Sequence, residues 1–164
     1  MNLQQTKLGL VLKNANLALK MDTFDDRLIL QKAAYLLQEA GVNLGYRFRW
    51  YLRGPYSPGL TEDAFFLDAL PNGGEEQLNE WELDDSSTQK IDAVKDLFTA
   101  KPQANFASYL ELLASTLFLI KSRQVSPDRP SEISTVLKKN GKPFEENDVA
   151  DALEDLKKYG YAIS

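Results

Sequence analysis

Between Tyr46 and Arg53 the chain reads YRFRWYLR, which places Arg47, Arg49, Tyr51 and Arg53 on one parity. Guanidinium groups two residues apart on an extended chain can follow phosphates, and an interleaved tyrosine can stack a base, as in single-strand nucleic-acid binders. The same row can pair with carboxylates, either within the molecule or on a partner protein. Three arginines are few, and the formal net charge of −5 opposes long-range attraction to nucleic acid. Intramolecular pairing ranks first on these grounds, a protein partner second and nucleic acid third.

Other chemistry is thinly represented. The chain has no histidine and no cysteine, which removes Ser-His-Asp and Cys-His catalysis, thiolate chemistry and the usual zinc sites. Neither nucleotide-binding glycine pattern occurs, and no cofactor or metal is expected. Glu62, Asp63 and Asp68 lie on one segment with Phe65 and Phe66, and a carboxylate held against aromatics can act as an acid. Solvated or salt-bridged acids are the simpler reading. Ser57 would need a lysine base to be a nucleophile, whereas its place before Pro58 suits a helix N-cap. Asp155 and Lys157 superficially resemble a nuclease arrangement, but they sit in a helical pattern that pairs acids with lysines on a wet face. No enzyme activity is expected.

The 164 residues, 43% hydrophobic and without low-complexity tracts, fit one domain over 1–164 with a real core. No apolar run reaches the roughly 18 to 20 residues that span a bilayer. The N-terminus lacks the basic and apolar regions of a signal peptide, so a cytoplasmic protein with no membrane association is expected. Charge is uneven: residues 1–60 carry a net +4, residues 61–100 a net −9 and residues 101–164 are neutral. The basic and acidic parts either face each other or present surfaces of opposite sign.

The elements that must position the arginine row follow from periodicity. Leu8, Val11, Leu12 and Ala15 predict a helix over 5–18. Thr23 with Asp26 forms an N-terminal capping pattern, and Gly41 suits a C-terminal glycine, so 23–41 predicts a second helix. At Tyr46 the period changes to two, predicting a strand over 46–53 with Tyr46, Phe48, Trp50 and Leu52 inward. Gly54, Pro55, Pro58 and Gly59 read as a stiff turn that ends this strand and leads into a helix capped by Ser57. A short strand is expected around Leu78 to Leu83, and four more helical patterns follow it. The fold class is α+β and mostly helical: one compact domain of five to seven helices with a small β element.

Residues 27–64, with Leu30-Gln31-Lys32, Tyr35-Leu36-Leu37-Gln38, the aromatic strand and Gly54-Pro55-Tyr56-Ser57, are similar to the signature of the YwgA-like proteins. More remotely, Leu30-Gln31-Lys32, Tyr35-Leu36 and Gly54-Pro55 resemble the Panacea or SocA-like domain, known for neutralising toxins and for proteolytic adaptor function. That domain usually follows Gly-Pro with a small apolar residue, whereas Tyr56 and Ser57 stand here, as in the YwgA-like branch. The resemblance implies a prokaryotic or phage protein without established catalysis, with a toxin or a protease substrate as its protein partner. Gln31 and Lys32 are polar positions in a very apolar stretch, so their burial would require specific partners. They are either local braces or part of a recognition patch with Arg49, Arg53 and Tyr56. The leading expectation is a non-enzymatic interaction module, antitoxin-like or an adaptor, with its patch at the strand and turn. A nucleic-acid-binding regulator is the alternative.

Overall fold

Capping boxes open the first two helices of the computed structural model, which describes residues 1–99 and 103–163. Asn2 accepts from the Gln5 amide and Gln5 returns a bond to Asn2, starting α1 at Leu3–Asn14. Thr23 and Asp26 do the same for α2, Phe24–Glu39, as their spacing predicts. The first helix is shorter than its apolar pattern because Asn16 takes a left-handed φ of 58°, and Leu17 then bonds back to Leu12.

A two-stranded antiparallel hairpin follows, β1 at Arg49–Tyr51 and β2 at Gly54–Tyr56. Next come α3 (Pro58–Asp68), the single turn α4 (Glu75–Leu78), α5 (Asp85–Val94), α6 (Gln103–Lys121), α7 (Pro130–Lys139) and α8 (Glu146–Lys158). Two short 3-10 turns, Pro71–Gly74 and Lys95–Phe98, flank α4 and α5. The described residues therefore contain eight α-helices and one small sheet, a helix-dominated α+β domain. α2 and α6 pack along each other more extensively than any other pair, and one continuous apolar core joins residues from α1 to the tail beyond α8. Among the described residues no helix is long and apolar enough to cross a membrane.

Three local expectations change. The strand expected over 46–53 is paired only at Arg49–Tyr51, and Leu52, expected inward, is 91% exposed at the hairpin tip. The chain reverses there: Leu52 and Arg53 form the turn, and Gly54 at φ 89° supplies the left-handed residue that returns it to the ladder. Gly54 and Pro55, expected in a turn, thus belong to β2, opposite Tyr51 and Trp50. Proline is tolerated because the Pro55 carbonyl faces α2, where Lys32 binds it; the ring nitrogen shares that side, away from the ladder. Pro58 and Gly59 open α3 instead, under the Ser57 cap. Around Leu78 the expected strand is replaced by α4, which lowers buried Leu78 onto Gly9 of α1; a Cβ at Gly9 would come within 2.7 Å of the Leu78 side chain.

Candidate functional site

The segment 46–57 hangs on α2 by three polar side chains. Gln31 accepts from the Ser57 amide at 2.9 Å and donates to the Ser57 carbonyl at 2.8 Å. Seven residues on, about two helical turns, Gln38 treats Tyr46 the same way, at 3.0 and 2.7 Å. Each glutamine satisfies both main-chain groups of one residue where the short hairpin offers no ladder partner. Between these clamps Lys32, 1% exposed, donates to the Pro55 carbonyl at 2.6 Å. Gln31 and Lys32 therefore have the specific partners that their burial demands. Gln38 enters the sequence reading only as part of a motif, without a role, although its spacing of seven from Gln31 is the signal that pairs the two clamps.

The far side of the hairpin rests on charge. Lys142, 2% exposed and just beyond α7, donates to the Leu52 carbonyl at 2.8 Å and lies 3.7 Å from Glu111 Oε1 of α6. Arg53 approaches the same oxygen at 3.9 Å. Both separations exceed a hydrogen bond, and among the described residues Glu111 Oε1 accepts none although it is buried. Burial pushes the Lys32 ammonium down to about 7; Glu111 opposes that shift, while Lys142 and Arg53 reinforce it. Lys142 is lowered for the same reasons, burial first, with Glu111 opposing and Arg53 reinforcing. One carboxylate thus serves three cations. Gly54 fits against this cluster because it has no Cβ, which would overlap the Ser115 hydroxyl. Glu111 and Lys142 left no trace in the sequence reading, since only folding brings them to the hairpin.

Between α2, the hairpin and α3 lies a groove of about 370 Å³. Phe24, Leu28, Tyr51, Leu52 and Phe65 form its apolar walls; Phe24, Tyr51, Leu52 and Phe65 are exposed. Arg27, Gln31, Lys32, Arg53, Tyr56 and Thr61 supply its polar lining. The Arg53 side chain remains 60% exposed, with its guanidinium 5.4 Å from the centre of the Phe24 ring. Tyr51 and Tyr56 meet edge to face at 5.1 Å, which stiffens the hairpin wall. Gln31 also donates to Thr61 Oγ1 at 2.8 Å, and Thr61 donates to Tyr56 Oη at 2.9 Å. The two hydroxyls complete a relay from Gln31 to Tyr56, whose ring lines the groove.

Of the residues singled out from the sequence, Gln31, Lys32, Tyr51, Arg53 and Tyr56 converge on this groove. Ser57 is buried beneath it as the α3 cap and as the partner of Gln31. Arg47 and Arg49 are exposed and lie outside the lining, and among the described residues neither makes an ion pair. Nor does an ion pair join 1–60 to the acidic stretch 61–100 in the described residues, since Arg53 reaches Glu111 in the neutral third instead. Asp63 accepts from Tyr46 Oη at 2.7 Å and from Gln5 at 3.0 Å, a structural brace, whereas Glu62 and Asp68 are exposed. Asp155 accepts from Tyr109 at 2.7 Å. No metal-binding cluster of acids occurs among the described residues. No family model, curated protein or solved structure matches the chain.

Proposed function

We propose that this chain is a non-enzymatic protein-interaction module, antitoxin-like or an adaptor, that holds a short apolar, negatively charged segment of a partner protein in the groove beside the hairpin. The observation that carries the reading is the meeting of exposed aromatic walls with the Arg27 and Arg53 side chains in one groove. Aromatic and arginine side chains dominate binding energy where proteins meet. The three clamps from α2 hold the walls in one geometry, which lowers the ordering cost of binding. The antitoxin or adaptor assignment draws on the resemblance of residues 27–64; the groove supports the choice of a peptide-like ligand.

The test is a nuclease-treated capture of partners by wild type and by Arg53→Glu, with circular dichroism on both proteins, followed by a peptide array of each captured partner. The expected result is a peptide pairing apolar with acidic residues that binds wild type and not the folded variant. Equal binding of every peptide by the variant would overturn the assignment of the groove. Arg47 and Arg49, exposed beside Tyr51 and without ion pairs among the described residues, favour nucleic acid as the second reading. That reading predicts oligonucleotide binding that weakens steeply with salt and is lost on Arg49→Glu.

A further inference from the structure

The charge count around the hairpin is unbalanced. Lys32 and Lys142 are fully buried and Arg53 stands beside them, yet Glu111 is the one carboxylate within ion-pair distance of Arg53 and Lys142 among the described residues. Each lysine spends a proton on a main-chain carbonyl, which fixes its position without neutralising its charge. The Arg53 guanidinium makes no hydrogen bond among the described residues, and Arg53 lines the groove together with Tyr56. Arg53 and Tyr56 therefore line an apolar slot whose lining also includes the buried Lys32, with Lys142 and Glu111 behind the hairpin. A guanidinium is well matched to a planar anion, which it can bind through two parallel hydrogen bonds.

We propose that the groove selects a carboxylate: an aspartate or glutamate side chain next to the apolar anchor of the bound segment meets Arg53 and Tyr56 and completes the charge cluster that Glu111 leaves short. This specificity rests on the peptide-binding reading above. It also makes binding proton-linked. An added anion favours the charged form of Lys32, whose neighbours from the other packed elements are Glu111 of α6, Lys142 after α7 and Arg53 of the hairpin. Lys32 in the free protein loses its proton near pH 7, so affinity is greatest below that value and falls as pH rises through it.

The probes are the blocked peptides acetyl-Phe-Glu-Leu-amide and acetyl-Phe-Gln-Leu-amide and the free acid 4-phenylbutyrate, titrated into the full chain and followed by amide NMR shifts at pH 6.0 and 8.5. The glutamate peptide is expected to shift hairpin and α2 resonances with at least roughly tenfold greater affinity than the glutamine peptide, and to weaken several-fold at pH 8.5. Arg53→Gln, an exposed change, is expected to abolish the difference between the peptides. Lys32→Met, checked for its fold by circular dichroism, is expected to remove the pH dependence. Equal binding of the two peptides would overturn the carboxylate specificity while leaving the groove a docking site. Binding of 4-phenylbutyrate alone would make the ligand a small acid and overturn the peptide form, and failure of all three probes at 10 mM would overturn the inference. The partner capture then decides separately whether the interaction reading survives.

Discussion

The glutamines of α2 and the carboxylate of α6 hold one hairpin by opposite means. Gln31 and Gln38 are neutral, and each satisfies both main-chain groups of one residue at 2.7 to 3.0 Å. Glu111 is charged, lies 3.7 and 3.9 Å from two of its cations and leaves an oxygen without a hydrogen bond among the described residues. A fully bonded neutral network fixes shape with little residual field, whereas an incomplete ionic cluster retains a field that a ligand can use. The first arrangement completes its hydrogen bonds and the second leaves charge uncompensated, although both hold the same twelve residues.

The sharpest way to break that contrast is Glu111→Ala. Removing the one carboxylate leaves buried ammonium groups without compensation and should cost about 3–5 kcal/mol of stability by urea denaturation. A loss below about 1 kcal/mol would mean that the cluster does not hold the hairpin. Gln31→Ala should cost about 2–3 kcal/mol, because it orphans two buried main-chain groups of Ser57. Gln38→Ala should cost about 1 kcal/mol, since its bonds to Tyr46 are only partly buried and water can replace them. Equal losses at the two glutamines would remove the burial argument.

Lys32 sharpens the comparison through pH. Its folded value of about 7 lies below the roughly 10.4 of an unfolded lysine. Between those values the unfolded chain binds more protons, so the Lys32 contribution to stability rises with pH, with a limiting slope of about 1.4 kcal/mol per pH unit. Stability curves of wild type and Lys32→Met measured from pH 6 to 9.5 should therefore differ in slope, with wild type gaining relative to the variant as pH rises. Parallel curves would show that Lys32 titrates normally. The smallest effect on stability belongs to Arg53→Ala, expected below about 0.5 kcal/mol for an exposed side chain, and yet it should eliminate carboxylate binding.

Much of this arrangement was legible in the chain. The capping pattern at Thr23 and Asp26, the Ser57-Pro58 start of α3 and the alternation at 46–51 depend on neighbours in sequence, and each appears in the fold. Gln31 and Lys32 could be marked as needing partners because a polar pair in an apolar helical stretch is costly whatever surrounds it. From sequence the hairpin reads as one strand and a turn, because Pro55 argues against a ladder unless its carbonyl has another taker, and in the fold that taker is Lys32 of α2. Arg53 does pair within the molecule, the reading that ranks first from the sequence, but with Glu111 of the neutral third and not with the acidic middle. Net charge over long segments names an acidic middle, but ion pairs form between side chains a few ångströms apart.

Local sequence alone therefore determined the helical character, the caps and the need of Gln31 and Lys32 for partners. These follow from hydrogen-bond geometry and desolvation over a few consecutive residues. Tertiary structure alone decided who those partners are: Glu111 and Lys142 reach the hairpin only because α6 packs against α2 and the chain beyond α7 folds back over the hairpin tip. The electrostatic imbalance beside the groove arises from that packing, since the energy between charges depends on their distance and burial and not on their separation along the chain.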